Sequence, residues 1–287
     1  MPSVTQCPFD HAVISVRDRM DEAAPIFTRM GFTLTDRSFH PAGSCNHLMV
    51  FERDYLELIG FPPAGRTIRP DLLEGPIGLD GLVLKAGDVH AIHRELVARG
   101  FPAGAPQALS RKLTLPGSSV EDEARFTTVR LPRGALHGGR LYYCRHETPQ
   151  FIWHPPFQTH HNGALGIASF TIAAPDPTGE IARYERILDT PATIGIDGGT
   201  RIRMGHTELE LLTPAALQTA LGALACDAND FDGRKRDSYM AMVTIRVRDL
   251  AATQRALQHG GFSAARLRAG IAVPAAEAMN CTIAFVQ

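Results

Sequence analysis

The chain of 287 residues has almost no net charge. Its 29 Lys and Arg against 30 Asp and Glu leave −1 at neutral pH. No global field therefore draws it toward nucleic acid or an anionic membrane. The one short basic run, Arg234-Lys235-Arg236, is flanked by Asp232 and Asp237. It reads as a solvated loop, because a nucleic-acid footprint spreads over a basic face. Long apolar runs are missing as well, and none approaches the roughly 18 residues a membrane span needs. The first residues, Met1 to Cys7, lack the charged and apolar regions of a signal peptide. Cysteine is scarce and scattered: Cys7, Cys45, Cys144, Cys226 and Cys281 are odd in number and form no CxxC pair. Reduced thiols in a cytoplasmic protein are expected, not a disulfide framework. No GxGxxG, P-loop or GxSxG motif occurs, so nucleotide-cofactor and serine-hydrolase readings lose support. Low-complexity segments are absent too. What is present is 44% hydrophobic and 21% charged residues, enough for one large core or two ordinary ones.

The informative feature is internal repetition. The segment from Asp10 to Asp18 is a β-rich run ending in Val-Arg-Asp. A helical pattern follows, with Asp21 as a capping candidate, Ile26, Phe27 and Met30 on one face, and Pro25 in the first turn. Gly31 stops the helix and Phe32 opens a new strand. The same order recurs from Leu82 through Asp88 to Gly100-Phe101, from Ile167 through Asp176 to Ile187, and from Met242 through Asp249 to Gly260-Gly261-Phe262. The four aspartates, 18, 88, 176 and 249, are spaced by 70, 88 and 73 residues. Each copy closes on extended segments. Residues 47–52 and 55–60 form a predicted hairpin around Arg53-Asp54, and residues 200–204 and 208–212 form another around Gly205-His206. The pieces Tyr-Leu-Glu-Leu-Ile at 55–59 and Glu-Leu-Glu-Leu-Leu at 208–212 are near copies.

Each unit thus reads strand, helix, strand, strand, strand. The predicted fold class is α+β, with four tandem βαβββ modules. One module alone leaves a sheet face exposed, and pairing two lets curved sheets cover a shared cavity. Four modules give two paired half-barrels. The seam falls between His146 and Gly166, where Pro149, Pro155 and Pro156 interrupt any periodicity. The expected domains are 1–150 (modules one and two) and 151–287 (modules three and four).

This pattern resembles the vicinal-oxygen-chelate superfamily, and within it the glyoxalase-like domain proteins, over nearly the whole chain. The residues that carry the resemblance are Phe9-Asp10-His11-Ala12-Val13, Asn46, Tyr55-Leu56-Glu57-Leu58-Ile59, the stretch from His146 to Trp153, and His161-Asn162-Gly163-Ala164. The superfamily hosts isomerases, lyases, dioxygenases, epimerases and drug-sequestering proteins, so fold alone does not choose a reaction. Metal-using members take ligands from the first and last strands of facing modules. The positions so implied are His11 and Glu57 in module one, Gly81 and Cys144 in module two, Ser169 and Glu210 in module three, and Met242 and Ala284 in module four. Only the first keeps a histidine–carboxylate pair, which suits Fe, Mn, Zn or Ni.

His11 could instead be a hydrogen-bonded residue at the sheet rim, and Glu57 a carboxylate on a wet strand face. An inward glutamate between Leu56 and Leu58, however, needs a partner. His146 and His47 share strand faces that allow them to complete a metal shell or move protons. Of the histidine-rich run His146, His154, His160 and His161, only His146 is favoured, since prolines preclude a helical metal motif. Two function classes follow. One is a metal-dependent enzyme (lyase, isomerase or dioxygenase) acting on a small oxygen-rich or carbonyl substrate. The other is a metal-free protein that binds a small aromatic or drug molecule between Phe51, Tyr142, Tyr143 and Trp153. The expected partner is a small molecule, not nucleic acid or membrane, and a sheet edge offers a surface for a homodimer.

Overall fold

A computed structural model describes residues 3–62, 69–136, 138–195, 199–228 and 235–287. Asp232 and Arg234, in and beside the basic run, lie outside these. Module one consists of β1 (Phe9–Arg17), α1 (Met20–Arg29), β2 (Ser38–Phe39), β3 (Cys45–Val50) and β4 (Tyr55–Gly60). After a single helical turn, α2 (Pro70–Leu73), module two follows as β5 (Gly78–Lys85), α3 (Val89–Ala98), β6 (Gln107–Thr114), β7 (Glu121–Arg130) and β8 (Arg140–His146). Module three is β9 (Ala164–Ala173), α4 (Pro177–Leu188), β10 (Ala192–Ile194), β11 (Thr200–Met204) and β12 (Thr207–Leu212). The helix α5 (Pro214–Leu221) leads to module four: β13 (Tyr239–Val247), α6 (Leu250–His259), β14 (Ala265–Leu267), β15 (Gly270–Val273) and β16 (Thr282–Val286).

The four repeats are therefore present, and they pair in sequence order. One eight-stranded sheet runs β2-β3-β4-β1-β5-β8-β7-β6, and the other β10-β11-β12-β9-β13-β16-β15-β14. Within each module the first and last strands are parallel neighbours, and the two modules join antiparallel through β1–β5 and β9–β13. No described helix is long and apolar enough to cross a membrane.

The repeating aspartates act at the helix starts. The carboxylates of Asp88, Asp176 and Asp249 accept backbone N–H groups of the first turn of α3, α4 and α6, pairing donors that a helix otherwise leaves orphaned. The first helix differs from expectation. Arg19 stands at its N-cap position, and Asp21 lies inside the first turn, ion-paired to Arg37 at 2.6 Å. Alternation along the strands does the rest. Ala12, Ile14 and Val16 of β1 enter a core shared with Leu82 and Leu84, with Phe27 of α1, and with Phe170, Val243 and Phe285 of the second sheet. His11 and Glu57 line the opposite, concave face of the first sheet. Residues 147–163 connect the two sheets through two short 3-10 turns. Asn162 seats this connector on the end of α1, donating its backbone N–H to Gly31 O and its amide to Met30 O. A Cβ at Gly31 would come within 2.9 Å of Asn162 N, so the approach requires glycine there.

Strand β1 contains a deformation that positions the site. Phe9 faces Leu84 and His11 faces Val83, so Asp10 is an extra residue, a β-bulge. The equivalent slip recurs in every module, with Asp80, Ala168 and Ala241 as the extra residues.

Candidate active site

Neighbouring residues of a regular strand point to opposite faces. The bulge at Asp10 cancels that rule and lets it reach the side chain of His11. Asp10 Oδ2 accepts the His11 Nδ1–H at 2.7 Å and the His146 Nε2–H at 2.8 Å. The carboxylate accepts only, so each imidazole carries its proton on the nitrogen facing Asp10. Asp10 itself is fully buried. Burial raises its pKa, but His146 and His11 more than offset this and hold the carboxyl well below its usual range. Lys85 Nζ stands 3.6 Å from Asp10 Oδ1 and lies over the Trp153 ring at 3.8 Å from its centroid. Trp153 in turn meets the His146 ring edge-on at 4.8 Å.

With Nδ1 engaged, His11 turns Nε2 toward the cavity. Glu57 Oε2 lies 3.7 Å away, and the hydroxyls of Tyr55 and Tyr142 each lie at 3.4 Å. The Tyr55 ring stacks on the imidazole, with centroids 4.1 Å apart. Asn46 donates its amide to Glu57 Oε1 at 2.7 Å and fixes the carboxylate. Burial pushes both tyrosine hydroxyls above their ordinary pKa, so they remain protonated donors. The cavity measures about 510 Å³ and is walled by Leu48, Ile59, Phe126 and Ile152 beside the polar groups.

Strand register settles which residues occupy equivalent positions. Val13 pairs with Glu57, and Val83 pairs with Tyr142. The counterpart of Glu57 in module two is therefore Tyr142, two residues before the expected Cys144. The counterpart of His11 is Gly81, as expected. A Cβ there would lie 2.8 Å from Val13 Cβ, so the position carries no side chain for steric reasons. In the second sheet, Ser169, Met242 and Ala284 hold the other equivalent positions, and Glu210 is bound by Arg201 at 2.7 Å.

The other sequence candidates separate. His146 belongs to the cluster through Asp10. His47 does not line this cavity: its Nδ1 donates to Thr35 O at 2.7 Å and its Nε2 accepts from Arg37 at 3.3 Å. Phe51 is a core residue packed on His160, with ring centroids 5.1 Å apart. Tyr143 points into the core and donates to Ile187 O. Of the four proposed aromatic walls, Tyr142 lines the cavity and Trp153 stands behind His146. Sequence reasoning assigned no role to Asp10, Asn46, Tyr55 or Arg111. The adjacency of Asp10 to His11 was a usable signal, but the bulge that makes it productive was not visible.

Two donor sets could hold a metal. His11 Nε2 and Glu57 Oε2 face one another, Tyr142 offers a nearby oxygen, and Gly81 leaves the fourth family position free of protein ligand. A catalytic site needs such an open position. Asp10, Cys144 and His146 also bring ligand-type atoms within 4.8 Å of one another. An ion there would have to compete with both imidazoles for Asp10 and ionise a thiol that burial keeps protonated. The His11–Glu57 pair requires neither, and an ion there would only have to turn the Tyr55 and Tyr142 hydroxyls away from Nε2.

The family profile for a glyoxalase-like domain matches residues 9–188. The chain belongs to the glyoxalase-like domain family. No curated protein matches it. Among solved structures it is similar to a hypothetical protein from Staphylococcus aureus, at TM-score 0.62 and 9% identity, covering 96% of this chain and 98% of that one. It is similar to a Mn(II)-bound glyoxalase from Novosphingobium aromaticivorans, at TM-score 0.57 and 12% identity, covering 99% and 82%. A mutant 4-hydroxymandelate synthase from Streptomyces coelicolor matches at TM-score 0.54 and 15% identity, covering 94% and 78%. Identities this low establish the shared fold, and with the family match they place the chain in the vicinal-oxygen-chelate superfamily.

Proposed function

We propose that this glyoxalase-like protein is a metal-dependent enzyme acting on a small oxygen-rich or carbonyl substrate in the cavity of the first sheet. His11 and Glu57 would hold the metal. The observation that carries this reading is the setting of His11, whose Nδ1–H is given to Asp10 while Nε2 faces Glu57 Oε2 at 3.7 Å. Metal-ligating histidines characteristically donate their second ring nitrogen to a carboxylate. The Mn(II) in the glyoxalase neighbour lends support at the level of fold.

A divalent ion bound here would supply Lewis-acid stabilisation of charge developing on a substrate oxygen. The chain's own residues do the positioning. Asp10 fixes the tautomer and plane of His11, and His146 shares that carboxylate from the far side. Asn46 holds Glu57 in one rotamer. Tyr55 and Tyr142 present protonated hydroxyls at the reacting end of the cavity, where they can donate to a substrate oxygen. Leu48, Ile59, Phe126 and Ile152 give it apolar walls. Isomerisation, lyase and dioxygenase chemistry can all start from this arrangement.

Elemental mass spectrometry on tag-free protein reconstituted with Fe²⁺, Mn²⁺, Zn²⁺ or Ni²⁺ tests the reading. The wild type is expected to retain about one equivalent of metal, lost in both His11→Ala and Glu57→Ala while the fold persists. A wild type that takes up none of the four ions overturns the metal reading and favours a metal-free binding protein.

A further inference from the structure

The cavity contains a buried cation that the proposed chemistry does not use. Arg111 lies on β6, at one edge of the first sheet, and is 3% exposed. Its Nη1 donates to Ser38 Oγ of β2 at 2.7 Å, so it bridges the two sheet edges where they meet. It also lines the His11–Glu57 cavity. Among the described residues no carboxylate stands within ion-pair distance of it. Arg140, equally deep, provides the contrast. Asp80 and Asp71 bind Arg140 at 2.9 and 3.0 Å. Burial lowers the pKa of Arg140, and these carboxylates more than restore it. Burial lowers the Arg111 pKa, and the more distant Tyr55 and Glu57 offset this only in part. A buried charge paired only to a hydroxyl is costly, and protein interiors rarely keep one without a counter-charge.

We infer that Arg111 is the anchor for a carboxylate group of the substrate, which makes the substrate class a small monocarboxylic acid whose reactive oxygens face His11 and Glu57. The inference rests on this cavity being the substrate site, but not on a metal being present. The charge lining the cavity agrees with a single negative charge. Arg69, Arg111 and Arg130 face Glu57 and Asp71, an excess of one positive charge among the described lining residues. Arg69 is already bound to Asp71 at 2.6 Å. Arg130 is partly exposed and lies over the Tyr142 ring, 5.2 Å from its centroid. Arg111 is thus the cation that remains to be neutralised, and a guanidinium matches a planar carboxylate with paired hydrogen bonds. The apolar walls give the rest of the molecule an aryl- or alkyl-sized space.

Calorimetric titration of the full chain with matched probes tests this: phenylacetate against phenylacetamide, acetate against acetamide, and phenylphosphonate as a dianion. At least one acid is expected to bind ten or more times tighter than its amide. Arg111→Gln should abolish that preference, and Arg130→Gln should keep most of it. A purely structural arginine would lower the melting temperature when removed. Arg111→Gln is expected to leave it unchanged or raise it, since a buried charge with no ion-pair partner disappears. Three results would overturn the inference: no acid preferred over its amide by the wild type, a preference that survives in folded Arg111→Gln, or phosphonate binding tighter than carboxylate. Should Arg111→Gln fail to fold, a structural role is indicated and the anchor is likewise refuted. The metal reading is scored separately by metal content in the same preparations. Acid preference without metal keeps the anchor and refutes the metal, and metal without acid preference does the reverse.

Discussion

At the scale of single residues, Asp10 is the centre of the site although it does not line the cavity. Its Oδ2 accepts N–H hydrogen bonds from two imidazoles, and both rings are aligned by that one oxygen. Asn at this position can turn its one oxygen to both imidazoles, but it loses the negative charge and points an NH₂ at Lys85 Nζ, which stands 3.6 Å from Oδ1. Asp10→Asn is therefore expected to lower metal affinity by roughly 10–100-fold, measured by competition with a chelator. His146→Gln, which touches His11 only through Asp10, should lose less. Unchanged affinity in Asp10→Asn would remove the aspartate from the mechanism. Residue types at this scale were partly legible. His11 and Glu57 stand out as polar residues in an apolar strand pattern, and the structure brings them together. Arg111 was invisible because β6 is an edge strand whose polar sequence, Gln-Ala-Leu-Ser-Arg-Lys-Leu-Thr, resembles any solvated hairpin. The contact of β6 with β2, made through Ser38, helps bury it.

At the scale of elements, periodicity carried most of the information. The four helices, the stop glycines and the two Leu-Glu-Leu hairpins appear where the repeats require them, because each follows from local chemistry. Register did not follow. Cys144 and Tyr142 lie on the same strand face, and nothing local says which stands opposite Val83; the β5–β8 pairing decides it. The bulges were hidden for the same reason. The histidine-rich connector shows how a local pattern can be read too chemically. His160 accepts from Thr33 N–H at Nδ1 and donates from Nε2 to Val50 O, so its neutral form is fully paired. Burial lowers its pKa below the ordinary 6.5. An unfolded chain would take up a proton near pH 6.5 that the folded one refuses. Stability from this group is thus present above that pH and lost as pH falls below it. His160→Gln can reproduce both hydrogen bonds with a side chain that does not titrate. Denaturant unfolding between pH 7.5 and 5 is expected to show a shallower fall for this variant, at a cost of about 1 kcal/mol at neutral pH. Parallel pH profiles would assign the acid sensitivity elsewhere.

At the scale of the whole molecule, one apolar core joins the two sheets, and a polar contact pins their hairpins together. Asp54, in the β3–β4 turn, is buried. It accepts the Ile167 N–H at 3.0 Å and pairs with His206 of the β11–β12 turn at 2.5 Å. Burial raises the Asp54 pKa, and these two partners offset only part of the rise. Removing His206 would leave a buried carboxylate half satisfied. His206→Ala is expected to cost about 3 kcal/mol in denaturant unfolding, the lower end for a broken buried pair because His206 is partly exposed. Adding Asp54→Asn should recover part of that loss, and strictly additive effects would show the pair is not coupled.

The bulges bear on how chemistry could be redistributed in this duplicated molecule. The backbone slips one residue at Ala168 as it does at Asp10, and Ser169 and Glu210 sit where His11 and Glu57 do in the first sheet. For a designer, the second sheet is a scaffold whose main chain already has the curvature a histidine–carboxylate pair needs. What separates the two halves at these positions is the choice of side chains at Ala168 and Ser169 and the grip of Arg201 on Glu210, not the path of the chain.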